Sequence, residues 1–191
     1  MSTPRVLAFA GSHRKGSWNG RLVEVAATGA QQAGAQVTLV NLADYPLPLY
    51  DQDLEAETGL PEPGRRLREL FLSHDGLMIA SPEYNSSLTP LLKNTIDWMS
   101  RPQPGEPALK AFTGKVAVLM SASPGALGGL RGLVHVRSIL GNIGVIVLPQ
   151  QIAIPKATEA FDEHSLRDAK QRESVENLGC TLAEFLRRLS P

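Results

Sequence analysis

The sequence predicts an α/β fold, a doubly wound five-stranded parallel sheet with helices on both faces, in a single domain over residues 1–191. Two observations carry this reading. Five short apolar runs, at residues 6–10, 37–40, 77–80, 116–120 and 145–148, lack strict in–out alternation, as expected of strands covered on both faces. Stretches of helical pattern separate successive runs, so strand and helix alternate along the chain, the mark of a parallel sheet with crossover helices.

The first run is too brief, and too soon followed by His13, Arg14 and Lys15, to be a secretion signal or a membrane span, and it reads as the first strand. Residues 21–33 read as a helix leading to the strand at 37–40. Residues 45–64 are rich in proline and acid and are expected to be a loop. Asp51, Asp53, Glu55 and Glu57 there lack the turn glycine of a calcium loop and read as solvated acids. Helices are expected at 64–73 and 88–99, flanking the strand at 77–80. A second loop follows at 101–107, with Pro102, Pro104 and Pro107. The strands at 116–120 and 145–148 enclose a helix at 130–140, and a last helix spans 165–189. No internal repeat or linker divides the chain.

With 42% hydrophobic and 20% charged residues, the composition argues against disorder and against residence in a membrane. Nineteen basic residues balance nineteen acidic ones, so there is no global field to attract nucleic acid or an anionic membrane. Any anionic ligand must therefore be held locally, by loops. The single cysteine, Cys180, excludes an internal disulfide framework and fits a cytoplasmic location; beside Leu178, Leu182 and Phe185 it reads as a small packing residue. His13, His74, His135 and His164 fall on different elements without ligand spacing, so no metal is expected.

Three loops at carboxyl ends of strands carry the chemistry. The first, residues 11–19 (GSHRKGSWN), leads from a strand into a helix whose unpaired N–H groups and positive dipole end suit a phosphate. Ser12, Ser17 and Asn19 add short polar groups, Arg14 a planar cationic fork, and Gly11 and Gly16 allow close approach of the backbone. Taken alone, Ser17 or Asn19 would read as a helix cap. Neither GxGxxG nor a P-loop is present at this turn, which argues against nucleotide hydrolysis, and no cysteine lies in the cradle for a cysteine-based phosphatase. In the second loop, Pro82-Glu83-Tyr84-Asn85-Ser86, Tyr84 offers a flat apolar face and Asn85 can pair with the edge of a heterocycle. Read singly, Tyr84 could be a surface-packing aromatic and Glu83 an acid at a helix start. The third loop, from Ser121 through Ser123, Gly125 and Gly128 to Gly129, is glycine-rich and suits backbone passing beneath a planar ligand.

These segments resemble the NADPH-dependent FMN reductase family, which includes quinone, chromate and azo-dye reductases. GSHRKGSWN is similar to the family's GSxRxxSxN loop, and PEYNSSLTPLLKNTIDW at 82–98 to its PEYNxSxxxxLKNxxDW segment; the likeness continues through Gly114-Lys115 into SASPGALGGLR. The resemblance implies a flavodoxin-like fold with bound FMN. Ser12, Arg14, Ser17 and Asn19, with the adjacent Trp18, would hold the phosphate and ribityl chain, Pro82, Glu83, Tyr84, Asn85 and Ser86 would line the ring, and Ser123, Gly125 and Gly128 would flank its other side. It also implies a homodimer or homotetramer, with the helix at 88–99 as a candidate interface.

The expected activity is transfer of hydride from NADPH or NADH through FMN to a quinone, azo compound, free flavin or oxidised metal ion. No side chain is required as nucleophile; Tyr84 and Asn85 are the expected positioning residues. The competing readings are a single-electron carrier of the flavodoxin kind, which the neutral overall charge disfavours, and a nonenzymatic sensor of a phosphorylated ligand.

Overall fold

In the computed structural model, which describes residues 2–163 and 165–189, β1 (Arg5–Ala10) is followed by α1 (Trp18–Gln32) and β2 (Gln36–Val40). The chain continues through α2 (Gln52–Thr58), α3 (Glu62–Ser73), β3 (Gly76–Ala80), α4 (Pro90–Met99) and β4 (Val116–Ala122). It ends with α5 (Leu130–Asn142), β5 (Ile146–Ile154), α6 (Ala157–Ala160) and α7 (Ala169–Leu189). The five strands are parallel in the order β2-β1-β3-β4-β5. This is the flavodoxin-like order, in which the chain winds outward from β1 to β2 and then jumps back to β3. The resulting crevice lies at the carboxyl ends of β1 and β3.

The central strands explain the unbroken apolar runs, because each strand feeds two cores. Val6, Ala8, Met78, Ala80, Val118 and Met120 face the layer with α1 and α7. Leu7, Phe9, Leu77, Ile79, Ala117 and Leu119 face the layer with α3, α4 and α5. Helix starts follow local chemistry: the Ser17 hydroxyl accepts from the Gly20 amide at the head of α1, and Thr89 caps α4 at the Leu92 amide just before Pro90.

Three segments differ from the sequence expectation. Residues 45–64 are not one loop, since Asp51 accepts from the amides of Asp53 and Leu54 and starts α2. Of the acids there, Glu55 is not simply solvated but pairs with Arg101 at 2.9 Å and accepts from the Tyr50 hydroxyl at 2.8 Å. The last helix begins at Ala169 rather than 165, after the short α6. Edge strand β5 runs on to Ile154 past a register shift opposite β4, and Pro149 is tolerated at that irregularity. Arg137 of α5 donates there to the carbonyls of Val147 and Leu148.

Candidate cofactor site

The three loops singled out in the sequence meet at the switch point. Ser12, Arg14, Ser17, Trp18 and Asn19 from the first, Pro82, Glu83 and Tyr84 from the second and Ser123 from the third line one hollow of about 110 Å³. Ala122 and Pro124 complete it, and sequence reasoning passed over both because neither carries a polar group.

The first loop is built to present donors. Gly16 takes a positive φ of 67°, letting the chain turn so that Ser17 caps α1. The amides that open a helix have no intrahelical partner and point toward the loop. Arg14 lies 5.0 Å over the Trp18 ring, holding a cation at the mouth. Asn19 is buried, and its amide forms a two-way bridge to Ala122, donating to the carbonyl at 2.8 Å and accepting from the N–H at 3.0 Å. It thereby locks the start of α1 to the end of β4. Thr89, not noticed in the sequence, does the same for the other side, donating to the Gly11 carbonyl at 2.7 Å while capping α4. The Thr-Pro pair at a helix start was its available signal.

The second loop is a tight turn. Tyr84 and Ser87 exchange backbone hydrogen bonds of 2.9 and 3.0 Å, with Asn85 and Ser86 both at positive φ, 49° and 66°. Two consecutive left-handed residues make this a type I′ turn, tolerable for asparagine and costly for serine. Asn85 and Ser86 sit at its tip, outside the lining of the hollow, while Tyr84 stands beside it, 57% exposed. Glu83 anchors the turn to α5: one carboxylate oxygen accepts from the Gly132 amide at 3.0 Å and the other from Arg131 at 2.9 Å. Burial works against its ionisation, but the Gly132 amide and Arg131 outweigh that and hold the carboxyl below its usual range. Glu83 is thus an acid at a helix start, though the helix is α5 and not the one that follows it in sequence. His135 Nδ1 adds a contact of 2.9 Å to the Ser87 hydroxyl.

In the third loop Gly128 and Gly129 adopt positive φ, and a Cβ at Gly128 would lie 2.6 Å from the Ile154 carbonyl carbon. Gly125 and Gly128 shape this loop but do not line the hollow. The buried Ser121 hydroxyl beneath Gly129 has no hydrogen-bond partner among the described residues. Cys180 lies half-buried on α7, where burial and then the neighbouring Glu184 push the thiol up and keep it protonated. Among the described residues no three His, Cys, Asp or Glu side chains come together as a metal site; His164 lies outside those residues.

The donor set fits FMN. The helix-start amides, Arg14 and the serines suit a phosphate dianion, and the one carboxylate in the lining, Glu83, has its charge engaged by Arg131 and Gly132. Fold and hollow together define a flavodoxin-like α/β protein whose switch-point site suits a flavin mononucleotide. Residues 4–159 match the family described as NADPH-dependent FMN reductase. The chain is 37% identical to an NAD(P)H-dependent FMN reductase of Pseudomonas aeruginosa, across 97% of this chain and 96% of that one. It is also 37% identical to a quinone reductase of Escherichia coli K12, across 75% and 73%. Among solved structures, FerB of Paracoccus denitrificans, a flavoenzyme NAD(P)H:(acceptor) oxidoreductase, superposes with a TM-score of 0.80 at 27% identity, across 97% of this chain and 98% of that one. The chain belongs to the NADPH-dependent FMN reductase family and is accordingly an FMN-dependent NAD(P)H oxidoreductase.

Proposed function

We propose that the enzyme passes hydride equivalents from NAD(P)H to quinones, with the phosphate end of FMN held by the first loop and its ring lodged between Pro82–Tyr84 and Ser123. The observation that carries this reading is the convergence of the three loops on one hollow, with a cationic, donor-rich side at α1 and a flat apolar side at Tyr84. When bound, FMN supplies the two-electron carrier between donor and acceptor. Ser12, Arg14 and Ser17 serve the phosphate, and Trp18 packs beneath Arg14. Asn19 and Glu83 position the loops through Ala122 and α5. Tyr84 stands at the open side, where it orients whichever partner approaches.

Quinones are favoured as acceptors by the names of the relatives; azo compounds, free flavin and oxidised metal ions are secondary acceptors of the same site. The enzyme acts as a homodimer, or a homotetramer built from it, and the cytoplasm is its location. For the dimer, the candidate contacts are α4 and, beside it, the exposed Leu130 and Val134 of α5, a turn apart. No helix among the described residues is long and apolar enough to cross a membrane.

The test is an absorbance experiment on FMN-loaded protein under argon. NADPH should bleach the flavin band and a quinone should restore it. A loaded protein that both NADPH and NADH leave coloured would overturn the reading.

A further inference from the structure

The cofactor hollow opens on its α4 side into a trough with no assigned role. A hollow of about 260 Å³ shares Ser12, Arg14 and Tyr84 with the cofactor site and continues past Pro90 and Leu91. A second hollow of about 340 Å³, walled by Leu42, Tyr45 and Leu47, adjoins it, and His13 and Leu91 line both. Among the described residues no carboxylate lines either one. Across the first loop, by contrast, a hollow of about 670 Å³ carries Glu24, Asp44 and Glu163 with Arg21 and a few apolar residues.

Both walls of the trough are fixed. One is the first turn of α4. The other is the irregular strap at 42–50, sewn to α4 by Asn94, which donates to the Pro48 carbonyl at 2.9 Å and accepts from the Tyr50 amide at 2.8 Å. Trp98 Nε1 donates to the same carbonyl at 2.8 Å, and Arg66 stacks 5.4 Å over Tyr45. A preformed apolar channel pays little ordering entropy when it is filled.

We propose that this trough is an acceptor subsite that receives the apolar tail of a quinone whose head group lies beside Tyr84. The assignment rests on the oxidoreductase reading above and narrows its acceptor class. A compact polar acceptor would leave the trough unfilled, and in the hollow across the loop an apolar tail would lie against Glu24, Asp44 and Glu163 and desolvate them. The head-group chemistry balances without any further reagent. Quinone takes up two electrons and two protons to become hydroquinone; NAD(P)H provides the hydride equivalent, which is two electrons and one proton, and solvent provides the second proton. Each methylene buried in the trough should raise affinity by up to about fourfold.

The experiment is calorimetric titration of the FMN-loaded, oxidised protein with two benzoquinones of one head group, one bearing a methyl and one a decyl substituent, so that binding is read without turnover. The decyl compound should bind at least about tenfold tighter. Leu91→Asp on one wall and Leu47→Asp on the other should each shrink that ratio toward one, and the second variant gives the reading should the first fail to fold. A wild-type ratio near one overturns the proposal. So does a ratio that survives both substitutions, including the case in which Leu91→Asp changes only the oligomeric state. NADPH bleaching, measured separately on the wild type, isolates a failure of the underlying oxidoreductase reading.

Discussion

Glu83 shows how one side chain can join two parts of a site that are far apart in sequence. Its carboxylate closes on the amide of Gly132 and on Arg131, 48 or 49 residues away, and so fixes the turn that carries Tyr84. Two substitutions separate its roles. Glu83→Gln keeps an acceptor for the Gly132 amide but gives up the charge that Arg131 and the α5 dipole stabilise, whereas Glu83→Ala gives up both. Stability in urea should fall in the order wild type, Gln, Ala, with the alanine variant losing about 1–2 kcal/mol as for loss of a helix cap. An alanine variant as stable as the parent would mean that the carboxylate caps nothing. The sequence let Glu83 read as a ring-lining residue or as an acid at the start of the helix that follows it; its tie to α5 was not legible, because Arg131 and Gly132 lie beyond the third loop.

At the scale of elements, α1 and α7 approach each other closely, and glycines make it possible. A Cβ on Gly29 would run into the Glu176 carbonyl, and one on Gly179 into the Ala26 carbonyl, with Ala30 and Ala183 also buried in that layer. The obstacles are backbone atoms, which cannot rotate away, so Gly179→Ala must spread the two helices. It should cost about 1–3 kcal/mol or more, despite alanine's better helix propensity. Thermal unfolding beside Gly141→Ala, where a Cβ meets nothing within 4 Å, makes the comparison. Equal melting temperatures would refute the close approach. The sequence disclosed α7 as amphipathic through Leu178 and Leu182, but nothing local says that Gly179 meets a helix some 150 residues earlier. Signals confined to a few neighbouring residues were readable: the five two-sided apolar runs, the Ser17 cap, and the polar loops at strand ends. What escaped depends on distant or competing partners. Helix α2 lay hidden because Asp51 caps it inside a stretch whose prolines and acids read as loop, and β5 was cut short because Pro149 sits where the edge strand departs from register.

Across the whole molecule, stability should respond to pH in two separate ranges, one set by a buried histidine and one by paired carboxylates. The cofactor loops occupy the carboxyl ends of the strands. At the other end lies a polar knot: buried His74 sits between the Leu70 carbonyl, 2.6 Å from Nδ1, and the Thr38 hydroxyl, 2.7 Å from Nε2, while buried Lys115 donates to the His74 carbonyl and the half-exposed Arg5 faces Asp75. Burial lowers the imidazole pKa; the Leu70 and Asp75 interactions oppose that fall, and Arg5 and Lys115 add to it. With the folded value below the ordinary 6.5 or so, the unfolded chain binds more protons as pH drops through that range. Stability should therefore decline from about pH 6.5 downward and level off beneath the lowered folded pKa. Glu83, and Glu106 through its pairing first with Arg68 and then with Lys110, are held low, so their contributions persist above the usual carboxylate range and disappear only in stronger acid. The two windows can be resolved by urea titration of wild type and His74→Asn between about pH 7.5 and 5. The substitution should lower stability at neutral pH and flatten its decline through the histidine range, leaving the acid limb in place. Parallel curves for the two proteins would show that His74 takes no part in the pH dependence and that the knot at the base of the sheet is insensitive to protonation.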